Sequence, residues 1–291
     1  MPQAAEHSPR PVPWELLGRF PSAGLRGDVG RYLALEADLS EGVEWVELSR
    51  GHPLLVVGFG DCVRLQGLGA ADQPADRLQS FLVGPEQGPL LCRLRGRCFF
   101  VEINLTPWAL AEILGVAPGA LGSSPIALED VLGPDAPALS ECLRGHPDWQ
   151  ARLAALETFL CLRLRQRPRR GRAPTEVQWA WHHLQRSGGT VGVDQLVREL
   201  GWSHRYLAAR FRQFVGLTPK AAARRLRFAR VHRRLAAGDQ RPLAAIARQA
   251  GYADQSHMTR EFREFGACTP AEYRGRVLSL RPPTAPGAGE S

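Results

Sequence analysis

Two short rows of side chains in the last third of the chain have types and spacing that suit chemistry. In "GWSHRYLAARFRQFVGLTP" (Gly201–Pro219) the row is Arg205, Ala208 and Ala209, with Arg212 one turn further on. In "GYADQSHMTREFREFGACTP" (Gly251–Pro270) it is Gln255, Ser256, Thr259 and Arg260, followed by Arg263. Arginine and glutamine pair bidentately with base edges, serine and threonine donate or accept, and alanine fits against a thymine methyl. No nucleophile–base pair or metal-ligand spacing accompanies either row, so the chemistry on offer is recognition of a nucleic-acid groove. Arg212, Arg224, Arg227 and Arg263 are the phosphate candidates beside them.

Both rows need the same kind of scaffold. Leu207 and Met258, Phe211 and Phe262, and Pro219 and Pro270 each stand 51 residues apart, which marks an internal repeat. Leu207, Phe211 and Phe214 in one copy, and Met258, Phe262 and Phe265 in the other, make an apolar stripe at helical spacing. That stripe is core, so these aromatics are not a base-stacking platform, and the opposite faces carry the two rows. Ser203 and Asp254 are placed to cap the two helices, expected over about 203–215 and 254–265. Supporting helices are expected over 176–187, 193–200 and 242–250, with Gly201 and Gly251 leaving the latter two. A long helix runs from Pro219 to about Ala237, and a last short one begins at Pro270. Two helix, tight turn, helix units joined by one long helix result.

The charge divides the chain. Residues 1–160 carry a net −8, residues 161–189 carry +6 and residues 190–276 carry +10. An acidic half joined to a basic half suits a nucleic-acid-binding module with a separate partner domain. Lys220 is the single lysine, a bias that points to genome composition more than to phosphate binding. Six cysteines without a CxxC, and a Pro-rich rather than apolar start, lead to the expectation of a reducing, bacterial cytoplasmic location. No run of apolar residues is long enough for a membrane span, so no membrane partner is expected.

The segment from about Thr175 to Arg276 resembles the DNA-binding domain of the AraC/XylS family of bacterial transcription regulators. The resemblance rests on "LAAIARQAGYADQSHMTREF", "TPAEYR" and the first-copy "GWSHRYLAARFRQFVGLTP". It implies a non-enzyme that inserts two recognition helices into successive major-groove segments. Base-reading positions would be Arg205, Ala208 and Ala209, then Gln255, Ser256, Thr259 and Arg260. Its implied partners are a double-stranded DNA operator and, for an activator, RNA polymerase; no cofactor and no metal are implied. Two positions depart from the pattern. Val197 stands where a small residue is usual, and Gly266-Ala267 replaces an aromatic-then-glycine pair, which shifts the end of the last recognition helix.

The amino-terminal part reads as strands followed by helices, an α+β domain. Strands are expected in "VEWVELSR", "LLVVGFG", "SFLVGP", "LLCRLR" and "CFFVEINL", with a hairpin at Gly96-Arg97 between the last two. Thr106 is expected to cap a helix from Pro107, with further helices over 126–132 and 148–165. The whole arrangement resembles AraC-type regulators whose β-rich first domain binds a small-molecule effector or forms a homodimer. The expected organisation is a disordered start (1–13), a sensor or dimerisation domain (14–166), a linker (167–174), the DNA-binding domain (175–276) and a disordered tail (277–291). The linker, rich in Pro and Arg, is expected to be a loose joint between independently folding halves. Two other classes compete: a protein-interaction adaptor without DNA binding, and a DNA-alkyl acceptor protein. The second needs a zinc-bound cysteine cluster, and no closely spaced cysteine pair supplies one. Adjacent residues on a helix point apart, so His182-His183 is not a metal pair.

Overall fold

The computed structural model describes residues 15–61, 63–67, 76–166 and 173–279. The expected disordered start, Cys62 and residues 167–172 of the linker lie outside the described residues. Of the expected disordered tail, 277–279 are described and are helical. The architecture is a β-rich amino-terminal domain with following helices, and an all-α carboxy-terminal domain.

Two long strands form the spine of the first domain. Strand β2 (Val29–Glu47) pairs antiparallel along nearly all of β7 (Leu90–Leu105). On one side β1 (Glu15–Arg19) pairs with β2. On the other, β3 (Leu54–Gly58) pairs with β7 and with β6 (Phe81–Val83), which pairs with β8 (Ile126–Ala127). The first half of β7 also pairs with β4 (Val63–Gly67), and β4 pairs with β5 (Asp76–Leu78). The expected hairpin at Gly96-Arg97 is absent. The chain runs straight through, because β2 supplies the irregularity instead, a shift of register between Leu39 and Val43. Gly96 takes a φ of +88°, and the Asp61 carboxylate beside it accepts the Arg97 backbone N–H at 2.8 Å. A glycine there kinks the strand rather than turning it.

Side chains alternate along these strands, and both faces are buried. Leu55, Val57, Val101 and Ile103 face a core closed by helices; Leu54, Val56, Cys92 and Phe100 face a second core enclosed by the sheet itself. The helical layer is α1 (Pro107–Ala109), which passes into a π-helical turn (Leu110–Leu114), then α2 (Leu128–Leu132), α3 (Asp135–Gly145) and α4 (Trp149–Gln166). Two local expectations are corrected. Residues Ile126–Ala127, expected to be helical, are strand, and α2 starts after them. Thr106 precedes α1 without capping it, since its hydroxyl donates to the Asp28 carbonyl at 3.2 Å.

The second domain is α5 (Thr175–Arg186), α6 (Val193–Leu200), α7 (His204–Val215), α8 (Pro219–Ala236), α9 (Leu243–Gln249), α10 (Gln255–Gly266) and α11 (Pro270–Ser279). At 1.5 Å per residue, the 18 residues of α8 span about 27 Å and separate two cores. The first gathers Val177, Trp181, Leu196, Leu207 and Phe211; the second gathers Phe228, Val231, Ile246, Met258 and Phe262.

The two domains are not merely tethered. Trp108 of α1 is 1% exposed and belongs to the first helical core, where its ring meets His182 edge-on at 5.6 Å. Leu48, just past β2, is 1% exposed and belongs to the second. Gly216, which ends α7 at a φ of +82°, comes so close to Pro118 that an added Cβ would sit 2.6 Å from its carbonyl oxygen. Arg225 reaches Glu86 at 3.5 Å. Burial of large side chains across a boundary makes the halves pack as one body. The composition of the linker says nothing of this, because the joint is made by surfaces remote from it in sequence.

Candidate nucleic-acid interface

Each recognition helix is held by its apolar stripe and started by a side-chain cap. The Ser203 hydroxyl accepts the Tyr206 N–H at 3.2 Å, and the Asp254 carboxylate accepts the His257 N–H at 2.7 Å. These caps satisfy donors that the first turn of a helix leaves open. Leu207, Phe211, Phe214 and Val215 are buried along α7, and Met258, Phe262, Phe265 and Gly266 along α10. Gly201 ends α6 with a φ of +66°, the left-handed conformation that glycine adopts without a steric cost.

The opposite faces are open. Arg205, Ala209 and Arg212 on α7 are exposed, and Ala208 is half-buried at the margin. On α10, Gln255, Ser256, Arg260 and Arg263 are exposed, while Thr259 is half-buried and donates its hydroxyl to the Gln255 carbonyl at 2.9 Å. Among the described residues, Arg205, Arg212, Arg260 and Arg263 have no carboxylate within ion-pair reach. Four uncompensated guanidinium groups on two helix faces suit a polyanion.

Arg224 and Arg227 are placed differently from the other phosphate candidates. Arg224 donates through Nε to Glu261 at 2.7 Å and through Nη2 to Glu264 at 2.5 Å, with its guanidinium 5.0 Å from the Phe265 ring centre. Arg227 lies 3.6 Å from the same Glu261 oxygen, donates to the Gly189 carbonyl at 3.1 Å and sits over the Tyr252 ring. Glu261 is 4% exposed, a carboxylate inside the stripe of α10, and His257 lies 3.5 Å from it. A buried carboxylate needs such partners, so both arginines brace α10 against α8. Glu261 is not among the residues expected from the sequence, where its signal is an acidic residue at a stripe position, three after Met258.

The departures fall where expected in sequence. Val197 is 9% exposed and packs in the first core with Leu207 and Phe211 of α7. Ala267 ends α10 in the left-handed conformation at a φ of +53°, the only non-glycine residue with positive φ among the described residues. Trp179 stacks on His183 at 4.8 Å and His182 turns towards Trp108, so the two histidines do diverge.

Residues 196–276 match the family model of a helix-turn-helix domain. The chain is 32% identical over 136 residues to the RCS-specific HTH-type transcriptional activator RclR of Escherichia coli. That match takes in 46% of this chain and 44% of RclR, less than half the length of the relative. Among solved structures, ToxT from Vibrio cholerae aligns over 86% of this chain and 98% of its own, at 12% identity and a TM-score of 0.47. The carboxy-terminal domain of AraT, a response regulator from Geobacillus stearothermophilus, aligns over 40% and 97%, at 21% identity and a TM-score of 0.35. The domain at 196–276, with its duplicated units and bridging α8, is a helix-turn-helix domain, and the chain is similar to helix-turn-helix transcription regulators of the AraC type.

Proposed function

We propose that the chain is a sequence-specific DNA-binding regulator of transcription, without catalytic activity, that lays α7 and α10 in successive major-groove segments of one operator. The observation that carries this is the pair of open helix faces, each with arginines free of carboxylate partners, on opposite ends of one rigid α8. Arg205, Ala208, Ala209, Gln255, Ser256, Thr259 and Arg260 read bases, and Arg212 and Arg263 meet phosphates. Arg224 and Arg227 act at one remove, by fixing α10. With Ala208 and Ala209 contributing no hydrogen bonds, the second unit discriminates bases more strongly than the first. The first domain acts as the regulatory half, through an effector or a second copy of the chain, and RNA polymerase is the further partner where the outcome is activation.

Binding-site selection with the full chain tests this. An asymmetric site with its stronger half under α10 is expected. No shift of any pooled genomic fragment by the folded protein overturns the reading and favours an adaptor.

A further inference from the structure

Residues 1–160 carry a net −8, yet three of their arginines line one open cleft of about 560 Å³. Phe59, Gly60 and Asp61 after β3 form one wall, Arg97 and Phe99 of β7 a second, and Arg144 of α3 with Arg152 of α4 the third. The cleft lies on the helix side of the sheet, where Phe59 belongs to the core closed by helices, and neither Leu48 nor Trp108 lines it. Its volume falls in the range of sites for small organic ligands.

The guanidinium groups are anchored from behind and open in front. Arg152 donates Nε to the His146 carbonyl at 3.1 Å, and its guanidinium stands 5.2, 5.4 and 5.1 Å from the ring centres of Phe59, Phe99 and Trp149. Arg144 donates Nε to the Phe59 carbonyl at 3.1 Å and Nη1 to Glu141 at 3.3 Å. Arg97 lies over the Phe99 ring at 5.4 Å. Among the described residues, no acceptor is within hydrogen-bond reach of either Nη of Arg152, of Nη2 of Arg144 or of the Arg97 guanidinium. The ion pair of Arg152 with Glu36 is stretched to 4.0 Å. Nearby carboxylates are engaged elsewhere, Asp61 by the Arg97 backbone N–H at 2.8 Å and Glu141 by Arg144. Carbon surface accompanies the charge, since Phe59 and Phe99 stack at 5.7 Å and Phe99 is only half-buried.

Guanidinium forks match oxyanions bidentately, and rings behind them exclude water, which strengthens each charge-assisted hydrogen bond. Anchored Nε atoms have already given up much of the side-chain freedom that binding would otherwise cost. A carboxylate would answer one fork, whereas a phosphate monoester brings nearly two charges and three acceptor oxygens. We propose that this cleft binds a small phosphate monoester that carries an aromatic ring, with Arg97, Arg144 and Arg152 on the phosphate and the ring against Phe99.

Isothermal titration calorimetry of the full chain with phenyl phosphate tests this, and DNA plays no part in it. A single saturable site is expected, with a Kd of about 0.1 mM or tighter. Inorganic phosphate and phenol, each one half of the probe, should bind at least about tenfold more weakly. Arg97→Gln and Arg144→Gln, both at exposed positions, should each weaken phenyl phosphate at least about tenfold. Arg152→Lys, which keeps the charge and loses the fork, should do the same. An Arg205→Ala/Arg260→Ala variant should bind as the natural chain does, which separates the cleft from the recognition helices. The site is overturned if phenyl phosphate gives no saturable heat, if affinity survives both Arg97→Gln and Arg144→Gln, or if it is lost with Arg205 and Arg260. The ligand class is overturned if inorganic phosphate or phenol binds as tightly as phenyl phosphate. Should Arg152→Lys fail to fold, the two exposed variants decide alone.

Discussion

Mild acid should loosen the joint between the domains well before carboxylates titrate. His52 lies in the loop after β2 with Nδ1 3.1 Å from the Pro53 carbonyl, and His232 of α8 bonds through Nε2 to the Tyr273 hydroxyl at 2.7 Å. Burial holds the His52 imidazole down to about 4 against the pull of the Pro53 carbonyl, with Arg50 and Arg233 adding to the depression. Burial, then the same two arginines, holds His232 down to about 3. Both rings are neutral while packed and return to about 6.5 once exposed, so the opened chain takes up protons first. Their contribution to stability is therefore whole above about pH 6.5 and falls below it, down to the packed-state values. The loss is about 1.4 kcal/mol per pH unit for each imidazole, hence about 4 kcal/mol for the pair at pH 5.0. Urea titrations at pH 7.5 and 5.0, followed by tryptophan fluorescence, would show it as a drop in midpoint. A His52→Asn/His232→Asn double variant should lose most of that drop. The reasoning is refuted if the variant keeps the full pH dependence, or if the natural chain is equally stable at both pH values.

Arg260→Ala should cost about 1–3 kcal/mol on the operator and relax preference at one base pair, whereas Arg263→Ala should lower the salt slope by about 0.9 and leave preference unchanged. Titrations at several salt concentrations on operator and random DNA separate the two, and an equal loss on both DNAs would reduce Arg260 to a phosphate contact. Glu261→Leu should destabilise the chain by about 3 kcal/mol in thermal melts, because it takes away the carboxylate that Arg227 and Arg224 share and leaves Arg224 only Glu264; an unchanged midpoint would remove its bracing role. Trp108→Ala should cost about 3–5 kcal/mol and speed hydrogen exchange at α7 more than at α10, because Trp108 belongs to the first helical core alone. Inserting about 5 bp between the two contacted segments should abolish binding, since one turn of about 10 bp separates faces that a single rigid domain can reach; tolerance of the insertion would mean flexible units.

The helical half is legible in the sequence because its signals are local and mutually consistent. The stripes of α7 and α10, the caps Ser203 and Asp254, and the stops Gly201 and Gly216 lie within a few residues of what they determine. In the β-rich half, periodicity identifies strands but not where they end. Gly96 reads as a turn from its neighbours alone, and only the register of β2 makes it a kink. Long-range choices are invisible for the same reason. Arg224 and Arg227 look like phosphate ligands until Glu261, some 34 residues on from Arg227, is seen to face them. Leu48 and Trp108 carry nothing in their own segments to say that they leave their domain, because the pockets that receive them are built by helices more than 60 residues later. The open faces of the recognition helices were identified from stripe geometry; what each side chain meets on DNA is a matter for the experiments above.

Trp108 and Leu48 grip the helical domain at two separate cores, one on either side of α8. The β-rich domain thereby works like a caliper, with one jaw on each recognition unit. A helix of 18 residues can bend and twist by small amounts, and a second connection in parallel removes that freedom. The distance and angle between α7 and α10 then belong to the whole chain rather than to α8 alone. Substitutions in the first domain, far from any base, would change which spacer length and helical phase an operator must have while leaving the preferred bases as they are. Drift in the amino-terminal half of such a protein could thus retune its targets by geometry, with every groove-facing residue intact.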